Sequence, residues 1–476
     1  MKLSTNPRNK LKTPLQSYSS TTKRRLDLFR YPARIILLSF LFIIMIGTVV
    51  LRLPGITIGD SLTLVDALFT ATSATCVTGL IVADTATKFT LFGQVVILIL
   101  IQIGGLGIMT FSTFFVYVVA GRLSVTGRDL LQDTFSQHPM SDLVRLLRSI
   151  FLVTIAIEAL GWGLLTLRFM RTVPLPKAMY MGLFHAISAF CNAGFSLFSD
   201  SFVDYQADFF INVVLITLIV LGGLGFVVIF DLYKNRQFLF RWNFSQLAYH
   251  TRVVLFMTST LLVIGFLFVF SLEYNNSLNS TSSVTKVLAS FFQSVTARTA
   301  GFNTINIRTL SNSTLFFLMI LMFIGASPGS CGGGIKTSTF AVLTASVMSR
   351  FRMREDVNIF YRRIPPAIVS RAISVFFFSV LFIAIFTMFL LISETPGISH
   401  TQSRGLFLEY LFEAVSAFGT VGLSTGVTPA LSGFGRILIT LLMFIGRLGP
   451  LTIALAVQGR EPAPRFKYVQ ESVLVG

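Results

Sequence analysis

The chain has 476 residues, 53% of them hydrophobic and 12% charged, with a formal net charge of +18. That balance excludes an ordinary soluble domain and marks an integral membrane protein, so the positive charge is to be tested against membrane topology before nucleic acid is considered. Three cysteines, Cys76, Cys191 and Cys331, are too few for a disulfide framework and read as small packing residues.

In chain order, residues 1–34 carry nine Lys or Arg against one acid, Asp27, which places the N-terminus in the cytoplasm. They lack the early apolar core of a cleavable signal. A first apolar span is predicted over 35–51, then a short segment over 66–75, then a second span over 91–121. The same order recurs as 149–167 (interrupted by Glu158), 180–190 and 209–230; as 253–272, 286–297 and 309–335; and as 372–393, 409–418 and 437–459 (interrupted by Arg447). The long runs meet the roughly 20 residues a helix needs to cross a bilayer, giving eight spans. The short ones, at about ten residues, enter a bilayer without crossing it, and irregular backbone at that depth needs a wet or protein-lined cavity.

The predicted fold class is therefore all-α and integral to the membrane. Its parts are a basic cytoplasmic segment (1–33), four membrane-pore-membrane repeats (34–121, 122–232, 233–349 and 350–459) around a central pore, and a cytoplasmic tail (460–476). Eight spans return the C-terminus, with Arg460, Arg465 and Lys467, to the inside. The linker carrying Arg350, Arg352, Arg354, Arg362, Arg363 and Arg371 falls inside too. These basic patches read as topology signals facing anionic membrane lipid, with partner docking second and no nucleic acid.

Each short segment begins the same pattern, a phenylalanine followed ten residues later by a glycine: Phe69/Gly79, Phe184/Gly194, Phe291/Gly301 and Phe412/Gly422, the glycines 115, 107 and 121 residues apart. Four polar loops in one apolar chain can line one axis. A cation leaving water exchanges its hydration shell for backbone carbonyls, and glycine admits the backbone such a loop requires. The candidate cation-binding filter residues are Val77, Thr78 and Gly79; Asn192, Ala193 and Gly194; Thr299, Ala300 and Gly301; and Thr420, Val421 and Gly422. Arg298 would repel a cation if it faced the axis, so it is expected to point away and pair with Glu413.

Three second spans contain a compact Gly-Leu-Gly signature: 104–107, 222–225 and, as Gly446-Arg-Leu-Gly449, 446–449. In the third repeat residues 325–339 replace it with a Pro328-containing, glycine-rich stretch that cannot continue a helix, predicted to be a flexible intramembrane loop. Its Gly-Ile-Lys-Thr lacks the order of a nucleotide-binding P-loop.

With these features the chain resembles the Trk/Ktr/HKT superfamily of cation transporters over nearly its whole length, closest to the Ktr-type potassium uptake membrane subunit. The resemblance implies a potassium-translocating homodimer in the cell membrane, working with a cytoplasmic nucleotide-binding regulatory subunit of KtrA type. It names potassium as substrate, sodium as a candidate activator, and no cofactor in this chain. Gly332, Gly333, Gly334 and Lys336 match the core of a gating loop, and Arg447 matches an arginine projecting below the filter. Serine at the first filter glycine is associated with sodium selectivity in the plant branch, so Gly79 favours potassium. The alternative is a sodium-conducting or weakly selective member of the same fold. An enzyme is not expected: Glu158, His185 and Lys336 occupy unrelated positions, with Glu158 expected in a buried hydrogen-bonded pair and His185 expected to be packed and satisfied.

Overall fold

The computed structural model describes residues 32–107, 143–235 and 244–458. The expectations for the N-terminal segment, for 108–121 of the second predicted span, for the start of the second repeat and for the C-terminal tail lie outside the described residues.

Helix α1 (Pro32–Leu51) covers the first apolar run. Short helix α2 (Leu64–Thr75) follows, started by Thr63, whose Oγ1 accepts from the Asp66 backbone N–H at 3.2 Å and donates to the Asp66 carboxylate at 2.7 Å. Next come α3 (Leu91–Leu106), α4 (Leu143–Phe169), α5 (Leu175–Phe190), α6 (Phe209–Leu224) and α7 (Phe226–Lys234). The third quarter holds α8 (Tyr249–Glu273), α9 (Ser283–Thr296), α10 (Asn312–Phe323) and α11 (Thr337–Phe351). A two-residue hairpin, β1 (Asn358–Ile359) and β2 (Arg362–Arg363), leads to α12 (Pro366–Glu394), α13 (Leu406–Gly419), α14 (Gly433–Leu448) and α15 (Pro450–Gln458).

Among the described residues, three helices (Arg148–Phe169, Tyr249–Glu273 and Pro366–Glu394) are long and apolar enough to cross a membrane, and a fourth is reached if the bent pair α6 and α7 counts as one. The second helices are shorter than the apolar runs that encode them. α3, α6 and α14 have 16 residues each and stop one residue before a glycine with positive φ: Gly107 (76°), Gly225 (91°) and Gly449 (82°). Sixteen residues make about 24 Å of helix, short of a bilayer core of about 30 Å. After Gly225 the chain turns through 99° into α7, so the predicted continuous span over 209–230 is a broken one. The span predicted over 309–335 likewise ends as helix at Phe323.

The first glycine of each signature has a packing reason. A Cβ on Gly104, Gly222 or Gly446 would run into the carbonyl oxygen of Thr75, Phe190 or Phe418, the last turn of the preceding short helix. These three second helices therefore lie directly against the end of a short one. In three of the four units the first helix also ties the start of the second. Arg168 pairs with the N-capping Asp208 at 2.6 Å, and Glu273 and Glu394 accept the backbone N–H of the N-capping Ser311 and Ser432, both at 3.0 Å.

Candidate functional site

Beyond the short helices α2, α5, α9 and α13 the backbone adopts one repeated shape. A residue two before each pattern glycine has positive φ (Val77 56°, Asn192 59°, Thr299 71°, Thr420 49°), and so does the glycine itself (Gly79 89°, Gly194 69°, Gly301 78°, Gly422 90°). Left-handed residues alternating with ordinary ones keep successive carbonyls from zigzagging as they do in a strand.

The four glycines form a closed ring in chain order. A Cβ built on Gly79 would sit 2.5 Å from the Ala193 carbonyl oxygen, one on Gly194 2.9 Å from that of Ala300, and one on Gly301 2.5 Å from that of Val421. One on Gly422 would overlap the Thr78 carbonyl, which returns the ring to its first member. No side chain fits at any of the four positions, and the conformation disfavours one independently. The C-termini of all four short helices, each a partial negative charge, converge on this ring.

A buried hydroxyl holds each loop to its helix. Ser73 Oγ accepts from Gly79 N (3.1 Å) and donates to the Leu80 carbonyl (2.7 Å); Ser188 Oγ donates to the Phe195 carbonyl (2.8 Å); Ser416 Oγ accepts from Gly422 N (3.1 Å). In the third unit the hydroxyl comes from Thr296, which donates to the Phe302 carbonyl at 2.5 Å and lies five residues before the glycine instead of six. The buried ring four residues ahead of it is Phe292, with no exposed surface, whereas Phe291 is half-buried. The expected Phe291/Gly301 pairing is thus corrected by one residue: Phe292 is the partner of Phe69, Phe184 and Phe412, and the third loop is one residue shorter.

The residue after the buried phenylalanine anchors the far side of the loop in two units. Glu413 accepts from Thr425 N (3.0 Å), Ser424 Oγ (2.5 Å) and Thr428 Oγ1 (2.6 Å). At the equivalent place His185 Nε2 accepts from Leu197 N (3.1 Å) while Nδ1 donates to the Met181 carbonyl (2.8 Å), which fixes one neutral tautomer. His185 is packed and satisfied as expected. The expected Arg298–Glu413 pair is overturned, because Glu413 spends its acceptors on its own loop. Arg298 lies away from the ring, beside a void of about 10 Å³ lined by Ile219, Val220, Gly223, Thr258, Leu262 and Val295, and its buried Nε has no hydrogen-bond partner. Glu158 accepts from Gln102 Nε2 at 3.1 Å through both carboxylate oxygens, the buried pair expected.

On one side of the ring, the residues following each glycine enclose a cavity of about 410 Å³, lined by all four glycines together with Asp84, Asp200, Ser201, Asn303 and Arg308. Each unit is also tied to the next. Ser199 Oγ donates to Asp84 (2.6 Å), Asn303 N to Ser201 Oγ (3.2 Å), Arg308 to the Thr425 and Gly426 carbonyls (3.0 Å each), and Arg436 meets Asp66 at 2.5 Å to close the circle.

On the other side, the residues preceding the glycines meet the glycine-rich stretch. Gly333 N donates to Thr420 Oγ1 at 3.0 Å, and a Cβ on Gly332 would overlap Thr299. The stretch is pinned across the break in the second unit: Ser327 N donates to the Gly223 carbonyl (3.1 Å), Cys331 N to that of Gly222 (3.2 Å), and Phe226 N to that of Gly329 (3.1 Å). Lys336 Nζ donates to the Gly332 carbonyl at 2.5 Å, within the same stretch. Arg447, from α14, donates to the carbonyls of Cys331 and Gly104 and so joins the stretch to the first unit. Gly334, with φ 66°, lies where a Cβ would be 3.3 Å from the Gly419 Cα.

Sequence reasoning missed the hydroxyl anchors and the ties between units. A serine six residues before the glycine in three copies was the available signal; the ties, made by single residues far apart in the chain, left none.

The cation transport protein family TrkH matches residues 16–467. The chain is 40% identical over 449 residues to the Ktr system potassium uptake protein B of Bacillus subtilis, covering 94% of this chain and 97% of that one. It is 35% identical to the potassium/sodium uptake protein NtpJ of Enterococcus hirae, covering 95% and 99%. The fold is similar to the crystal structure of the potassium transporter TrkH from Vibrio parahaemolyticus, with a TM-score of 0.71 at 17% identity over 92% of this chain and 86% of that chain. The chain is a membrane protein that belongs to the TrkH family of cation transport proteins, a family of transporters and not of enzymes.

Proposed function

We propose that the chain is the potassium-translocating membrane subunit of a Ktr-type uptake system, conducting through four loops that act as one filter. The observation that carries this reading is the closed ring of Gly79, Gly194, Gly301 and Gly422, each crowded by the carbonyl preceding the next. Residues 77–79, 192–194, 299–301 and 420–422 supply the carbonyl oxygens that replace potassium's water, and the tight ring fixes their spacing. Each quarter of the chain is one membrane-pore-membrane repeat, with both termini in the cytoplasm and the 410 Å³ cavity as the outer vestibule.

The stretch containing Gly332, Gly333, Gly334 and Lys336 is the gate. It lies directly beneath the filter residues Thr299 and Thr420, and Arg447 holds it across the axis by two carbonyls. A cation leaving the filter meets two fixed positive side chains and a layer of backbone. Opening requires that layer to move, which suits control by a cytoplasmic nucleotide-binding partner of KtrA type acting on a homodimer, with sodium as activator.

The test is potassium-limited growth and rubidium uptake in cells lacking their own potassium uptake systems, with and without such a partner. Rescue abolished by Gly422→Asp supports conduction through the ring, and dependence on the partner supports the Ktr assignment. A second reading, a sodium-conducting or weakly selective transporter, is favoured by the name of the Enterococcus hirae relative, a potassium/sodium uptake protein. Sodium sensitivity without potassium rescue would select it.

A further inference from the structure

The hairpin β1 and β2 lies beyond the end of α11, away from the ring, and its position is set by α8. The Tyr249 hydroxyl, at the start of α8, donates to the Ile359 carbonyl at 3.0 Å, and the Arg362 guanidinium lies 5.6 Å from the centre of the Tyr249 ring. Phe360, in the turn, packs edge-on against Phe256 with ring centres 5.6 Å apart. Phe256 stands seven residues into α8, about 10 Å along the helix. It is exposed, as are Val263, Ile264 and Leu267 further along the same membrane-crossing helix. Val357 and Ile364 are buried in one cluster with Val342 of α11 and Ala372 of α12, which holds the hairpin in this place.

The hairpin's outer surface combines two chemistries. Tyr361 is fully exposed, Met353 is 94% exposed and Phe351 81%. The same segment, 350–363, carries exposed Arg350, Arg352, Arg354, Arg362 and Arg363 against the acids Glu355 and Asp356, and Asp356 engages Arg363 at 2.8 Å. Apolar and aromatic tips beside exposed guanidinium groups, level with the exposed apolar flank of a spanning helix, match the boundary between acyl chains and phosphates. A soluble protein would have to displace lipid to reach a turn seated against Phe256.

We propose that this hairpin binds the headgroup of an anionic phospholipid in the cytoplasmic leaflet, with Arg352, Arg354 and Arg362 on the phosphate and Tyr361 and Met353 in the interfacial layer. The proposal rests on the membrane orientation given above. Its consequence is regulatory, because the 15-residue helix α11 starts at Thr337, directly after Lys336 of the gate, and ends at Phe351, beside the hairpin.

The full chain, reconstituted in mixed phosphatidylcholine and phosphatidylglycerol, is released into mild detergent and its retained lipids are measured by native mass spectrometry. Wild-type protein is expected to retain phosphatidylglycerol about tenfold over phosphatidylcholine, and the Arg354→Gln/Arg362→Gln variant to lose that preference. In a Trp162→Phe/Trp242→Phe background, a Tyr361→Trp variant is expected to be quenched more by brominated phosphatidylglycerol than by brominated phosphatidylcholine. Equal retention of the two lipids, or a preference that survives in the double variant, overturns the proposal. So does an unquenched indole, and so does a variant that loses only self-association or partner binding, which would assign the surface to a second copy or a protein. Rubidium flux in phosphatidylcholine alone tests the transport reading separately, since the hairpin lies outside the filter.

Discussion

Asp66 and Arg436 stand 370 residues apart, and their carboxylate and guanidinium meet at 2.5 Å. Asp66 belongs to the first turn of α2 and Arg436 to the first turn of α14, so the pair joins the first and last units. Arg436 also donates to the Pro429 carbonyl at 2.9 Å, which ties the same junction to the loop after the fourth glycine. Replacing Arg436 with Ala is expected to cost about 1.5–3 kcal/mol, the value of a hydrogen bond to a charged group, because both side chains are mostly covered. Thermal unfolding of the purified protein measures that loss. If the ring depends on its closure, the same variant also discriminates potassium from sodium less well in competitive rubidium uptake. An Arg436→Ala protein with unaltered melting and unaltered selectivity would show that the circle closes without this pair.

Gly79→Ser is expected to relax potassium-over-sodium selectivity. Its φ of 89° and the Ala193 carbonyl 2.5 Å from the new Cβ require the first or second loop to shift, which widens one quadrant of the ring. Uptake of rubidium and sodium from mixtures reads the change. Unaltered selectivity in folded protein counts against the filter assignment.

Arg447→Ala is expected to raise basal rubidium flux in the absence of a regulatory partner, since it removes both carbonyl contacts, to Cys331 and to Gly104, and a half-buried guanidinium beside the glycine-rich stretch. Arg447→Lys, which keeps the charge but loses the forked geometry that spans Cys331 and Gly104, should fall between wild type and Ala. Flux equal to or below wild type from well-folded Arg447→Ala protein removes the gate reading.

Arg298→Met is expected to leave selectivity unchanged and stability equal or improved. The guanidinium points away from the ring and its Nε is buried without a partner, so an apolar side chain of similar length relieves a desolvated charge. A change in the ratio of potassium to sodium uptake would place Arg298 in the conduction pathway after all.

Glu413→Ala removes the acceptor for three groups of the fourth loop, Ser424, Thr425 and Thr428, and leaves the buried Thr425 N–H unpaired. The expected cost is about 1–3 kcal/mol, with uptake falling in parallel as the fourth loop loosens. Glu413→Gln, which keeps one carbonyl acceptor, should recover part of both. Melting curves and rubidium uptake measured on the same preparations decide whether the carboxylate acts through loop order, and full uptake by a destabilised Ala variant would exclude it.

How far the chain could be read in advance depended on the range of the interactions. Apolar runs and short polar intervals are local, so the predicted segments 66–75, 180–190 and 409–418 lie inside α2, α5 and α13. The glycine-rich 325–339 stretch was legible as a helix break because Pro328 and its glycines act on their own backbone. The breaks at Gly107, Gly225 and Gly449 were hidden by the apolar residues that continue past them, since hydropathy does not register a backbone turn. The third loop deceived for a different reason: the Phe291-Phe292 doublet offers a ring in either register, and only burial against the rest of the molecule chooses Phe292. The ties between units, Asp66 to Arg436 above all, are long-range pairings to which no spacing rule points.

A ring assembled from one chain differs in kind from one assembled from four identical chains, where any substitution strikes every quadrant at once. Here each quadrant is encoded separately, and the third has used that freedom: its loop is a residue shorter, its anchor is Thr296 where the others use serine, and its second helix gives way to the stretch that crosses beneath the other loops. The other three quadrants keep one geometry while the third departs from it, which an assembly of four identical chains could not do.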